Sequence, residues 1–188
     1  MYTIFEKLHI EGEKMLHWLP FIIYFLINCY LLWHSWQRYR LTGQRVTLVA
    51  TFIYLTAILV LCLTPTLFSV ASAHKQLFYF AGTPYNAIPF QGISPEFFLN
   101  IIMTFPWGVF LYLFNRHRSW QKVILYSFAL SLFIEANQFI WDLLINLGRL
   151  ADIDDLITNT IGAIIGFAVM YLLDKTILHR LITHLCLK

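Results

Sequence analysis

SFALSLFIEANQFIWDLLINLGRLADIDDLITNTIGAIIG, from Ser127 to Gly166, decides the fold of this chain. It consists of two strongly apolar runs joined by a short polar turn, a pattern typical of two membrane-spanning helices. The same stretch carries the ionisable residues Glu135, Asp142, Arg149, Asp152, Asp154 and Asp155. An ionisable group at membrane depth costs about 2.5–3.5 kcal/mol on insertion scales unless it has a partner or a water-filled cavity. We therefore interpret this cluster as a candidate functional site.

The composition of the whole chain is typical of a membrane protein. Of its 188 residues, 59% are hydrophobic, 18% are aromatic and only 12% are charged, and the mean hydropathy is +0.66. Such a chain has too little polar surface to cover a soluble globule. We predict an all-α, polytopic integral membrane protein, with an N-terminal interfacial segment (residues 1–18) ahead of a transmembrane domain (residues 19–188).

Five apolar runs are long enough to span a bilayer, since a hydrocarbon core of about 30 Å needs roughly 20 helical residues. The predicted spans are approximately Leu19–Trp36, Val46–Thr64, Phe97–Phe114, Lys122–Leu144 and Ile153–Leu173. The connection between the second and third spans contains turn residues and lacks the alternation of a strand. It is predicted to be a long external loop that forms an irregular lid or re-entrant segment.

The lysines and arginines outside the spans predict the orientation of the chain. Nine fall on one side of the predicted membrane: Arg38, Arg40, Arg45, Arg116, Arg118, Lys122, Lys175, Arg180 and Lys188. Four fall on the other: Lys7, Lys14, Lys75 and Arg149. The positive-inside rule places the nine in the cytoplasm, the N-terminus outside and the C-terminus inside. The net charge of +3 thus reports topology, and no nucleic-acid partner is predicted.

Polar residues recur at helical spacing on three of the spans. The third carries Asn100, Thr104, Gly108 and Tyr112; the fourth carries Ser127, Ser131, Glu135, Gln138 and Asp142; the fifth carries Asp152, Asp155, Asn159, Gly162 and Gly166. Such spacing gives each helix one polar face. With the predicted orientation, these faces converge in the outer half of the membrane. We predict a polar pocket that opens outward beneath Asn86–Phe90, with ligand-binding residues Asn100, Glu135, Gln138, Arg149, Asp152, Asp155 and Asn159.

Structural roles are the alternatives for the same residues. Gly162 and Gly166 form a small-xxx-small pair that favours close helix packing, and this is the interpretation we prefer for them. Asp152 and Asp154 are suited to capping the fifth span. Arg149 could serve only as an interfacial anchor, and the remaining polar groups could form a buried network that holds the helices together.

Arg149 is the only cation in the predicted cluster, and it faces several carboxylates. Three arrangements satisfy these charges: one carboxyl is protonated, Arg149 bridges a pair, or a hard cation such as Mg²⁺ or Ca²⁺ binds the oxygens. The seven histidines lie outside the cluster, so a zinc site has little support. We expect no cofactor, with a divalent cation at the carboxylate cluster as the open alternative.

Four groups of residues carry a resemblance to a known family. They are Asn86 with Ile88, Pro89 and Phe90; Asn100 with Pro106 and Gly108; Glu135 with Gln138; and Gly148, Arg149, Asp152, Asp155, Asn159, Gly162 and Gly166. With these residues the chain resembles the VanZ-like membrane proteins, which are named after an accessory protein of bacterial glycopeptide-resistance clusters. The resemblance implies a bacterial cell-membrane protein and, in at least some members, involvement in teicoplanin-type resistance.

The predicted pocket has three alternative functions. The first is binding or remodelling of an envelope lipid or a lipid-linked cell-wall precursor. The second is a hydrolase or transferase acting on such a lipid, with Glu135 or Asp155 as general base and Arg149 on a phosphate or carboxylate. The third is a transporter or channel, which the lack of repeat symmetry and of a polar path through the membrane disfavours. The sequence predicts no oligomeric state.

Overall fold

The described part of the chain forms five long helices and one short helix. The structure is a computed structural model that describes residues 15–64, 75–92 and 95–187. The helices are α1 (Leu19–Arg38), α2 (Thr42–Leu63), α3 (Pro95–Phe114), α4 (Trp120–Ile145), α5 (Ile153–Leu173) and α6 (His179–Leu185). The first five are long and apolar enough to cross a membrane, which confirms the predicted spans. Most of the predicted N-terminal interfacial segment lies outside the described residues.

Large apolar side chains point outward on all five long helices. Leu26, Ile53, Ile102, Leu125 and Leu172, one from each helix in order, are each more than half exposed. In water such a surface would be unfavourable, whereas lipid tails solvate it well. Polar side chains are instead buried between the helices, so the protein is polar where its spans meet and apolar where it faces the bilayer.

Helices α3 and α5 pack in close backbone contact because glycines line their interface. A Cβ atom built on Gly162 would lie 2.3 Å from the carbonyl oxygen of Ile101, and one on Gly166 would lie 2.0 Å from that of Phe105. On the facing helix, a Cβ on Gly108 would lie 1.8 Å from the carbonyl oxygen of Ala163. No side chain fits at these distances. The predicted packing role of Gly162 and Gly166 is thus confirmed, and it brings the polar faces of α3 and α5 side by side.

The connection between α2 and α3 contains a β-hairpin, so the prediction of an irregular segment without strands was wrong. Strands β1 (Phe78–Phe80) and β2 (Thr83–Asn86) pair antiparallel, with Phe78 opposite Tyr85. Ala81 and Gly82 join them with φ of 48° and 88°. Two consecutive left-handed residues form the turn whose twist suits a two-residue hairpin. The strands are too short for their alternation to be recognised in the sequence.

A third short strand connects the hairpin to the start of α5. Strand β3 (Ala151–Asp152) pairs in parallel with β2, which places Asn86 opposite Asp152. The hairpin therefore lies at the end of the bundle where α2 and α4 end and where α3 and α5 begin. That end also holds the polar cavity.

The opposite end of the bundle is closed by α6. The backbone N–H of Leu187, just after α6, donates to the carbonyl oxygen of Leu113 on α3 over 2.8 Å. Tyr112 on α3 donates to Asp174, at the end of α5, over 2.5 Å. A Cβ on Gly43 would lie 2.2 Å from the carbonyl oxygen of His184, so α2 and α6 are also in close contact.

Candidate functional site

A cavity of about 810 Å³ lies between α2, α3, α4, α5 and the hairpin. The structure brings together all the residues that the sequence predicted as ligand-binding, because each of them lines this cavity: Asn100, Glu135, Gln138, Arg149, Asp152, Asp155 and Asn159. They come from three helices and the turn between α4 and α5. Their function as ligands remains a prediction, but their convergence follows from the helical spacing.

Asp152 connects the hairpin, the lysine before it and the first turn of α5. Its Oδ1 accepts hydrogen bonds from Nδ2 of Asn86 over 2.8 Å and from the backbone N–H of Asp154 over 2.9 Å. The second bond makes Asp152 the N-cap of α5, as predicted. Its Oδ2 accepts from Nζ of Lys75 over 2.5 Å. Both carboxylate oxygens are thus engaged by groups of the protein itself.

Asp154, like Asp152, contacts both Lys75 and the segment that roofs the cavity. Its Oδ1 accepts from the backbone N–H of Phe90 over 2.7 Å, and its Oδ2 lies 3.5 Å from Nζ of Lys75. The residues predicted to roof the pocket, Asn86 through Phe90, are therefore attached at both ends to aspartates that open α5.

Lys75 is a buried cation in this network. Its side chain is 9% exposed. Burial lowers the pKa of Lys75, but the hydrogen bond that Lys75 donates to Asp152 and the charges of the neighbouring aspartates raise it by more, so the net shift is upward. Lys75 is accordingly protonated at neutral pH and neutralises part of the charge of Asp152 and Asp154.

Glu135 extends from the middle of α4 to the backbone of β3. Its Oε2 accepts a hydrogen bond from the backbone N–H of Asp152 over 2.9 Å, and the side chain is buried. Glu135 lines both the polar cavity and a neighbouring apolar pocket of about 480 Å³. It thus separates a polar compartment from an apolar one.

Asp142 shapes the turn after α4. Its Oδ1 accepts from the backbone N–H groups of Gly148 over 2.7 Å and Arg149 over 3.2 Å. Asn146 ends the helix in the left-handed conformation, with φ of 52°, and Gly148 follows with φ of 75°. The turn that the sequence predicted from Gly148 therefore uses both residues, and Asp142 holds Arg149 in place.

Arg149 binds backbone carbonyls rather than a carboxylate. One terminal nitrogen donates to the carbonyl oxygens of Leu61 over 2.7 Å and Thr64 over 2.9 Å, where α2 ends. A cation is favourable at the C-terminal end of a helix. Burial lowers the pKa of Arg149 from its usual value. Within the described part of the chain no carboxylate pairs with it, so the bridging arrangement considered from the sequence is not observed there.

The deep wall of the cavity holds acceptors without donors. Asn159 is 1% exposed and Gln138 is 9% exposed, and their amide oxygens have no hydrogen-bond partner among the described residues. Asp155 is half-buried on the same wall, and no side-chain hydrogen bond or ion pair connects it to another described residue. Buried polar atoms in native proteins are nearly always paired, so these acceptors indicate a site for water or a ligand.

The carboxylates of the described residues form no group of three or more with metal-binding geometry, and neither do histidines or cysteines. The oxygens on the wall remain acceptors for any hydrogen-bond donor.

A family model described as VanZ/LLP1 matches residues 21–174. The chain belongs to the VanZ/LLP1 family. The match takes in nearly all of the five spans and every residue predicted to bind a ligand. No curated protein and no solved structure matches the chain.

Two charged residues of this VanZ/LLP1 protein lie in the cavity wall but were not predicted there: Lys75 and Glu96. Lys75 was assigned only to the loop on the side opposite the nine cytoplasmic cations. One signal in the sequence could have indicated its role, because it is the only lysine or arginine between the second and third spans. Several aspartates that converge in one place are stable when a cation lies among them, and Lys75 is the lysine or arginine available in that connection.

Proposed function

We propose that the cavity opens toward the outer face of the membrane and binds the headgroup of an envelope lipid or a lipid-linked cell-wall precursor. The observation that carries the proposal is the wall formed by Asn159, Gln138 and Asp155, whose acceptors lack donors within the described protein. Lipid tails offer no donor, so a polar ligand headgroup is the partner that suits this wall. Such binding would lower the sensitivity of the cell to teicoplanin-type antibiotics.

The apolar pocket beside the cavity supports a lipid over a water-soluble ligand. Its lining is mainly apolar and includes Phe80, Phe139 and Leu156. Glu135 and Asp152 line this pocket and the polar cavity alike, so the two are adjacent. A molecule with its headgroup against Glu135 and one chain against Phe139 would occupy both the polar cavity and the apolar pocket. Amphiphilic lipids have this division into a polar and an apolar part.

The first test is the lipid that the protein retains. We expect the detergent-purified protein to carry bound lipid in native mass spectrometry, and we expect Gln138→Leu to lose most of it, because the change removes an acceptor from the deep wall. Asp174→Asn is the matched control, since Asp174 lies at the other end of the bundle. Wild-type protein with no more lipid than Gln138→Leu would contradict the proposal. A retained lipid whose headgroup is chemically changed would favour the alternative, a hydrolase or transferase.

The second test is the orientation, on which an outward opening depends. Single cysteines replace Gly92, next to the hairpin, and Ser119, between α3 and α4; both positions are exposed, and a Cβ at Gly92 meets no atom within 4 Å. The background lacks Cys29, Cys62 and Cys186. In intact cells an impermeant thiol reagent should label Gly92→Cys and spare Ser119→Cys. The reverse pattern would place the cavity on the cytoplasmic side.

A further inference from the structure

The charges that line the cavity limit which headgroup can enter it. Among the described residues, the wall contains five carboxylates and two cations: Glu96, Glu135, Asp142, Asp152 and Asp155, with Lys75 and Arg149. The cavity is therefore acidic. An anionic ligand such as a phosphate would have to enter against this charge, and only a free cation could offset it.

Both cations already have hydrogen-bond partners within the protein. Lys75 is held by Asp152 and Asp154 at 2.5 and 3.5 Å. One terminal nitrogen of Arg149 is held by two backbone carbonyls at the end of α2, while its Nε has no partner among the described residues. Moving Lys75 toward an incoming phosphate would leave the buried carboxylates of Asp152 and Asp154 without their donor, which is unfavourable. Moving Arg149 would break its two bonds to the end of α2.

Among the described residues that line the cavity, three buried side-chain atoms have no hydrogen-bond partner: two are amide oxygens, which accept, and one is Nε of Arg149, which donates. The amide oxygens of Asn159 and Gln138 are buried, line the cavity and lack a donor among the described residues. Asp155 is half-buried on the same wall, and no side-chain hydrogen bond connects it to another described residue; Glu135 accepts one hydrogen bond, from the backbone N–H of Asp152. Two amide oxygens and two carboxylates thus offer several acceptor sites to a group that carries hydrogen atoms and positive charge.

We infer that the ligand is a lipid whose headgroup ends in a primary ammonium, which the acceptors of Glu135, Gln138, Asp155 and Asn159 bind. A primary ammonium has three N–H donors, and its charge suits an acidic cavity. A trimethylated ammonium has the same charge but no N–H donor, so it satisfies none of the unpaired acceptors. The inference rests on the proposed lipid-binding function and specifies its ligand class.

A series of short-chain lipids with identical tails tests the inference. Delipidated full-length protein is titrated with the dihexanoyl forms of phosphatidylethanolamine, phosphatidylcholine and phosphatidylglycerol, with native mass spectrometry as the readout. Phosphatidylethanolamine should bind about tenfold more tightly than either of the others, the difference expected from charged hydrogen bonds that only it can form. Soluble ethanolamine is a fourth ligand, which separates a lipid amine from a free one.

Each outcome has one meaning. Equal binding of phosphatidylethanolamine and phosphatidylcholine, or tighter binding of phosphatidylglycerol, would overturn the ammonium inference and leave lipid binding in place. Binding of none of the three lipids would overturn the proposed function itself. Ethanolamine that binds as tightly as phosphatidylethanolamine would show that the chains contribute nothing, which also contradicts a lipid site.

A variant of Asp155 tests whether this residue contributes to the preference for phosphatidylethanolamine. Asp155→Asn keeps the shape of the side chain but removes its charge, and it should reduce the preference for phosphatidylethanolamine over phosphatidylcholine. The control Asp174→Asn, outside the cavity, should leave the preference unchanged. An unchanged preference in Asp155→Asn would remove Asp155 from the ammonium site, and the wild-type lipid series tests the inference even if that variant does not fold.

Discussion

Asp152→Ala is expected to destabilise the folded protein by about 3–5 kcal/mol, because it leaves the buried ammonium of Lys75 without its nearest partner. The two groups are 2.5 Å apart, and their side chains are 9% and 5% exposed. The same change removes the N-cap of α5 and the acceptor for Asn86. Losing an N-cap alone typically costs about 1 kcal/mol. Unfolding by increasing amounts of SDS in mixed micelles measures the difference.

A variant of Lys75 tests whether the ion pair causes the loss of stability in Asp152→Ala. In a background with Lys75→Met, which carries no buried ammonium, Asp152→Ala should cost much less than it does in the wild type. The difference between the two costs is the coupling between the groups. A loss below about 1 kcal/mol for Asp152→Ala in the wild-type background would mean that the pair behaves like a solvent-exposed one.

Asn159→Leu is expected to abolish lipid retention while leaving the protein as stable as wild type or more so. The amide oxygen of Asn159 is buried without a donor among the described residues, so an apolar side chain of similar size relieves an unfavourable burial of about 1–3 kcal/mol. The same change removes an acceptor from the deep wall and narrows the cavity. Opposite effects on stability and on binding are typical of residues kept for function.

Asn28→Leu is the matched control for that prediction. Asn28 is also a buried asparagine, but its Nδ2 donates to the carbonyl oxygen of Phe52 and to Thr56, which joins α1 to α2. Its replacement should lower stability, and among folded molecules lipid retention should be unchanged. Resistance of a bacterial host to teicoplanin, corrected for membrane yield, provides a second readout. If Asn159→Leu were as destabilising as Asn28→Leu, Asn159 would be a structural residue.

The spans and the polar faces could be predicted because both follow from spacing along single helices. Apolar length gives the spans, and residues three or four positions apart share a face whatever the rest of the chain does. Asn100, Glu135, Asp155 and Asn159 therefore converge as expected. Close packing at Gly162 and Gly166 could be predicted for the same reason, although the sequence did not indicate that α3 is the partner helix.

Contacts between distant segments could not be predicted in this way. Lys75 is 77 positions from Asp152, and no periodicity connects them. The partners of Arg149 are carbonyl oxygens, which every residue has, so the sequence does not indicate which ones it binds. The hairpin was missed because its strands are short, and its pairing with β3 depends on where α5 begins, which is a property of the assembled bundle.

The parallel pairing of β2 with β3 has a consequence for biosynthesis. The ribosome completes the hairpin and Lys75 before α3, α4 and α5, yet their partners Asp152 and Asp154 come after α4. A nascent chain that has inserted four spans thus has a lysine and a strand edge whose partners have not yet been synthesised. The roof is bound by Asp152 and Asp154, and Asp155 joins the carboxylates of α3 and α4, only once the fifth span has been made. A chain truncated before α5 therefore lacks the attachment of the roof and part of the acidic wall.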